Sequence, residues 1–144
     1  MGWSRMITFY IAIGAVVALL VDGGEPTSDR DLLDSICYVE SGCEEGAVGD
    51  GGNAIGPYQI WEAYWRDAVE HDPSIGGNYE DCMYKDYSER VVLSYWDRYA
   101  TEKRLGRPVT DEDKARIHNG GPNGYKKGAT LKYWRKVEED LREK

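Results

Sequence analysis

Apolar positions recur at helical spacing through most of the chain beyond residue 27. Leu33, Ile36, Cys37 and Glu40 fall at i, i+3, i+4 and i+7, so they share one face of a helix predicted over residues 27–42. Ser28 followed by Asp31 resembles a capping-box start, and Gly42 is a natural stop. Residues 46–56 hold five glycines and the Asp50-Gly51 pair, a turn signal for a small hairpin or a Gly-rich loop. A second helix is expected within residues 58–71, from about Glu62, with Trp61, Tyr64, Trp65, Ala68 and Val69 inward until Asp72-Pro73 ends it. Tyr84, Tyr87, Val91, Tyr95 and Tyr99 predict one long helix over residues 79–105, stopped by Gly106 and Pro108. A short helix follows from Thr110 to near His118. Residues 119–127 form a turn-rich loop, and residues 129–144 a last helix with Leu131, Trp134, Val137 and Leu141 facing in. The pattern predicts an α+β domain, mainly helical with a minor hairpin.

The N-terminus breaks this pattern. Arg5 is followed by an uncharged apolar run from Ile7 to Val21, then Asp22, two glycines and Pro26. A short basic region before about 7–15 apolar residues describes a secretory signal peptide, whereas a membrane-spanning helix needs about 20. Residues 1–24 are therefore expected to be a signal peptide, cleaved between about 21 and 24. Residues 25–144 form a single domain, large enough to bury roughly two-thirds of its unfolded surface. Secretion permits disulfides. Cys37, Cys43 and Cys82 make an odd set, so either one pair forms beside a free thiol or all three stay reduced. Cys37 and Cys43 can pair only if the helix ends between them. Two histidines and three scattered cysteines give no zinc spacing, and no metal or other cofactor is expected.

Composition narrows the function. The formal net charge of -8 argues against a nucleic-acid binder and against attraction to anionic membranes, so no stable membrane association is expected after signal cleavage. Candidate chemistry begins with Glu40. Desolvation on an apolar face favours the protonated form of a carboxyl, the form a general acid needs. Glu40 could equally swing off the helix end or serve a backbone cap. Asp50 lies ten residues later on the Gly-rich segment. A helix-borne acid with a hairpin-borne carboxylate is what glycoside hydrolysis requires, although Asp before Gly also makes turns. The aromatic and amide cluster Tyr58, Gln59, Trp61, Tyr64 and Trp65 could stack on sugar rings and bond their hydroxyls, or pack the core. His118-Asn119 joins a titratable ring to an amide beside two glycines, and could equally be a structural hydrogen-bonder.

These strings together resemble the invertebrate-type lysozymes, the destabilase family. The resemblance rests on Cys37-Tyr-Val-Glu40-Ser-Gly-Cys43, Gly56-Pro-Tyr-Gln-Ile60 with Ala63-Tyr-Trp65, Ala115-Arg-Ile-His-Asn-Gly-Gly-Pro-Asn-Gly124, and Ala129-Thr-Leu-Lys-Tyr-Trp134. It runs from about Asp34 to Val137. It implies a lysozyme-like fold with the hairpin beside the active-site cleft, and hydrolysis of the β-1,4 bond between N-acetylmuramic acid and N-acetylglucosamine in bacterial peptidoglycan. Chitooligosaccharides would be further ligands. The family's acid lands on Glu40 and its second carboxylate on Asp50. Tyr58, Gln59, Tyr64, His118 and Asn119 become the expected substrate contacts. This chain departs from the family in cysteine content and in Tyr125, where a cysteine usually stands. Some relatives also cleave isopeptide bonds through a serine just after the catalytic Asp; Gly51-Gly52-Asn53-Ala54 offers none. A catalytically silent glycan-binding protein and a destabilase-like isopeptidase are the alternatives to a secreted muramidase.

Overall fold

The computed structural model describes residues 28–144, and the expected signal peptide lies outside the described residues. Among the described residues six helices surround a small antiparallel sheet: α1 (Asp29–Ser41), β1 (Val48–Gly49), β2 (Ala54–Ile55), β3 (Ile60–Trp61), α2 (Glu62–His71), α3 (Lys85–Tyr99), α4 (Glu102–Leu105), α5 (Asp111–Gly120) and α6 (Leu131–Arg142). Short 3-10 turns link several of them. Among the described residues no helix is long and apolar enough to cross a membrane.

Helix α1 begins and ends as its sequence dictates. The Ser28 side chain accepts a hydrogen bond from the Asp31 backbone N–H, one of the amides a helix start leaves unpaired. At the other end Gly42 adopts φ 70°, and the Gly42 and Cys43 amides return to the Tyr38 and Cys37 carbonyls. This left-handed ending takes Cys43 off the helix and back over it. Cys37 and Cys43 are disulfide-bonded with Cα atoms 4.8 Å apart, and Cys82 is a buried free thiol. The helix does end between the two cysteines, the condition for their pairing.

The hairpin expected over residues 46–56 is part of a three-stranded sheet of order β1-β2-β3. Val48 pairs with Ile55 and Gly49 with Ala54, while Ile55 also pairs with Ile60 and Ala54 with Trp61. Gly56 turns β2 toward β3 at φ 76°, and a Cβ there would run into the Cys82 carbonyl, so only glycine fits. Strand β3 runs straight into α2. Alternation along it buries Ile60 and turns Trp61 outward at 49% exposure, so Trp61 is not the inward residue of a helix start.

The long helix expected over residues 79–105 is three pieces. Asn78 and Asp81 form a capping box that starts a 3-10 turn, and Tyr84 is extended at φ -100° and ψ 136°. There the loop after α1 takes over the backbone groups: Glu45 accepts from the Lys85 amide, and the Gly46 amide donates to the Met83 carbonyl. Tyr84 consequently faces solvent rather than the core. After α3, Thr101 caps a fresh start by accepting from the Arg104 amide. Helix α5 is anchored by Thr110 and Asp113, and Asp113 also receives both Arg107 guanidinium nitrogens, at 2.6 and 2.8 Å. α5 continues to Gly120, so His118 and Asn119 ride its last turn rather than a loop. In α6, Val137 is buried with Tyr133, Trp134 and Leu141 packed against the core, while Leu131 is exposed rather than inward. Leu32, Leu33 and Ile36 of α1, Val91, Val92 and Trp96 of α3, and Ile117 of α5 form one apolar core with Tyr58 and Ile60. α2 packs on α3, and α6 on α1 and α5, which leaves the sheet, the end of α1 and the end of α5 around one concavity.

Candidate active site

A cavity of about 550 Å³ opens where these elements meet, lined by Glu40, Asp50, Gln59, Trp61, Tyr64, His118 and Asn119 among others. Glu40 is in the last turn of α1, and its side chain is 17% exposed. It therefore sits partly desolvated but within reach of a bound molecule. The Ser41 hydroxyl donates to the Pro57 carbonyl at 2.8 Å, tying the end of α1 to the turn that precedes β3.

His118 lies against Glu40. Its Nε2 is 3.4 Å from Glu40 Oε1 and 3.1 Å from the Tyr58 carbonyl oxygen. The Tyr58 carbonyl can only accept, which assigns the ring proton to Nε2. Nδ1 is then the acceptor for the Tyr64 hydroxyl at 3.1 Å. Burial holds the Tyr64 phenol well above its ordinary pKa, so it remains a donor, and its ring stacks on Tyr95 with centroids 3.6 Å apart. Tyr64 and His118 thus form a directed chain ending on the Tyr58 carbonyl, with the Glu40 carboxyl beside the ring at 3.4 Å. A second phenol completes the pocket behind Glu40. Burial and the neighbouring Glu40 carboxylate push the Tyr133 phenol well above its ordinary value. Its buried hydroxyl makes no well-formed hydrogen bond, and its ring is inclined 28° to His118 with centroids 6.5 Å apart.

Asp50 occupies the turn between β1 and β2 at φ 48°, a left-handed backbone conformation that Asp tolerates better than most residues. The Asn53 side chain donates to its carbonyl at 3.0 Å, closing the turn, and Trp61 Nε1 donates to its carboxylate at 3.3 Å. Asp50 is thus a turn former whose carboxyl also reaches the cavity. Gln59, at φ 50°, bonds the Gly56 carbonyl through its amide nitrogen at 2.9 Å and fills the space over Gly49.

The structure brings Glu40, Asp50, Gln59, Tyr64, His118 and Asn119 to one cavity and leaves Tyr58 out. Tyr58 has no side-chain exposure; its hydroxyl donates to Glu89 at 2.9 Å, on the side where Arg30 also reaches Glu89. Burial and the Glu89 carboxylate raise its pKa. A sugar cannot touch that ring, and the residue serves the site through its carbonyl oxygen alone. Of the two readings open for Trp61, sugar stacking or core packing, strand alternation favours the first by turning it outward to the cavity, where helical period would point it inward. Two further groups at the site, Tyr133 and Asp67, are not among the candidate residues. Tyr133 lies four residues before Val137, on the helix face next to the predicted stripe of Leu131, Trp134, Val137 and Leu141, and packs behind Glu40. Asp67 adds a third cavity carboxylate and is held by the Tyr99 hydroxyl at 3.0 Å. Among the described residues no cluster of three or more His, Cys, Asp or Glu could hold a metal ion.

Comparison with known proteins decides what this geometry belongs to. The Destabilase family model matches residues 29–140. The chain belongs to the destabilase family, the invertebrate-type lysozymes. A lysozyme of Meretrix lusoria is 40% identical over 110 residues, 74% of this chain and 85% of that protein. Invertebrate-type lysozyme 6 of Caenorhabditis elegans is 34% identical over 114 residues, 74% of this chain and 83% of its own length. The crystal structure of Aeromonas hydrophila PliI in complex with Meretrix lusoria lysozyme superimposes with a TM-score of 0.66 at 38% identity, covering 76% of this chain and 88% of that one. As a member of this lysozyme family the chain is a glycoside hydrolase of lysozyme-like α+β fold.

Proposed function

We propose that this lysozyme is a secreted muramidase in which Glu40 is the general acid and Asp50 the nucleophile or electrostatic partner. Its substrate is the β-1,4 bond between N-acetylmuramic acid and N-acetylglucosamine in bacterial peptidoglycan. The observation that supports this most directly is the placement of the two carboxyls. One comes from the end of α1, the other from the β1–β2 turn, and both border a single cavity in a chain whose relatives are lysozymes.

The chemistry follows from that placement. Glu40 passes its proton to the departing glycosidic oxygen as the C–O bond breaks. Positive charge develops on the anomeric carbon and ring oxygen of the other sugar, and the Asp50 carboxylate answers it. Water then supplies the hydroxyl of the new reducing end, and its proton returns to Glu40. His118 Nε2–H, held by Tyr64 through Nδ1, restricts where the Glu40 carboxyl can point. Asn119, exposed at the rim, is suited to bond hydroxyl or acetamido groups. Chitooligosaccharides carry the same β-1,4-linked N-acetylglucosamine and fit the same cavity.

The test is product analysis on purified peptidoglycan. The expected products are soluble fragments ending in reducing N-acetylmuramic acid. Glycan binding without new reducing ends would identify a silent binding protein and overturn the proposal. So would release of product from a γ-glutamyl-lysine substrate with no glycan cleavage.

A further inference from the structure

Trp61 is a cavity residue that the two-carboxylate mechanism leaves unused. It is a large indole at 49% exposure on the last residue of a strand whose other member, Ile60, is buried. The strand register, with Trp61 opposite Ala54, fixes the ring on the cavity side of the sheet and opposite a small side chain. No aromatic or cationic group among the described residues covers either face of the indole. Its one polar atom is engaged, because Nε1–H donates to Asp50 Oδ2 at 3.3 Å. Asp50 is exposed, stands in a turn of positive φ, and among the described residues has no other side-chain donor to its carboxylate.

We propose that Trp61 does two things in the same cavity: it positions the Asp50 carboxylate, and it offers its open face as a platform for a pyranose ring of the glycan beside Asp50. The chemical fit is specific. An indole with an apolar face and an edge donor is suited to a ligand that is apolar on one side and wet on its rim. The C–H face of a β-linked N-acetylhexosamine has that character. A flat ring also orients the sugar that lies on it, so one side chain registers the substrate and the carboxylate against each other. The positioning half rests on the assignment of Asp50 proposed above; the platform half does not.

Two substitutions separate the halves. Trp61→Phe keeps an aromatic face and deletes the N–H. Trp61→Ala deletes both. Both sit on the surface, and circular dichroism and thermal melting should match wild type. With a soluble peptidoglycan oligosaccharide, Trp61→Phe should lose about tenfold in kcat with KM within twofold of wild type. In a Glu40→Gln background, calorimetry with N-acetylchitotetraose should show binding weakened at least tenfold by Trp61→Ala and at most threefold by Trp61→Phe. An unchanged kcat for Trp61→Phe overturns the positioning half. Unchanged binding for folded Trp61→Ala overturns the platform half. Asp50→Asn is measured in parallel. If it turns over substrate like wild type, the assignment of Asp50 fails and the positioning half with it, while the binding result still decides the platform.

Discussion

Replacing Tyr64 by Phe deletes one buried hydroxyl and leaves the ring stack on Tyr95 in place. That oxygen lies 3.1 Å from His118 Nδ1. The imidazole has no freedom to compensate by exchanging tautomers. A proton moved to Nδ1 would leave the Nε2 lone pair facing the lone pairs of the Tyr58 carbonyl oxygen at 3.1 Å. The variant therefore keeps Nε2–H and carries an unmatched acceptor at Nδ1. An orphaned buried polar atom costs about 1–3 kcal/mol, and the lower end applies because Tyr64 borders the open cavity. About 1 kcal/mol lowers Tm by about 3–5 °C in a domain of this size. The same loosening lets the ring drift from the Glu40 carboxyl, and about 1 kcal/mol of lost orientation is roughly a fivefold fall in turnover. Calorimetric melting and kcat on a soluble peptidoglycan oligosaccharide measure both. If Tyr64→Phe matches wild type in Tm and kcat, the Tyr64–His118 link does not orient the site.

Other consequences are equally direct. Burial alone would raise the Asp113 carboxyl, but hydrogen bonds from Arg107 and Thr110 outweigh it and hold it below the ordinary carboxylate range. A carboxyl lowered by folding stabilises the fold above its unfolded value of about 3.9, and that stability is lost as pH falls through the folded value. Asp113→Ala should therefore cost about 2–3 kcal/mol in denaturant unfolding at neutral pH, with the gap to wild type closing below about pH 4. Burial pushes the Cys82 thiol up to about 12. Iodoacetamide at pH 8 should label no thiol in the native protein and one after unfolding without reductant. The net charge of -8 and the cavity carboxylates Glu40, Asp50 and Asp67 oppose approach to an anionic cell wall. Lysis rates should rise as salt is added toward about 0.1 M, where the Debye length shrinks to about 10 Å. A maximum at the lowest ionic strength would mean that the exposed Lys126, Lys127, Lys132, Arg135 and Lys136 govern the encounter instead.

Local signals made much of the scaffold legible. The Ser28 cap, the Gly42 stop and the Asp72-Pro73 break act over a few residues, and each appears where its chemistry requires. Glu40 was legible because helical period alone puts it beside Ile36 and Cys37. What period could not give was the effect of distant backbone. Tyr84 continues the apolar spacing of α3, yet Glu45 and Gly46 claim the neighbouring backbone groups and split the helix there. Tyr58 and Trp61 lie in one aromatic cluster, and only strand pairing reveals that the first faces the core and the second the cavity. Tyr133 reaches Glu40 across more than ninety residues of chain, through the packing of α6 on α1 and α5, which no local pattern encodes.

The central claim is that Glu40 delivers the proton that frees the leaving sugar. Glu40→Gln keeps the size and most of the contacts of that side chain and removes its acidity. Turnover of a soluble peptidoglycan oligosaccharide by this variant is the decisive measurement. If Glu40 is the acid, kcat falls about 10²–10⁴-fold with KM and Tm close to wild type. A folded Glu40→Gln protein that turns over within threefold of wild type would contradict it.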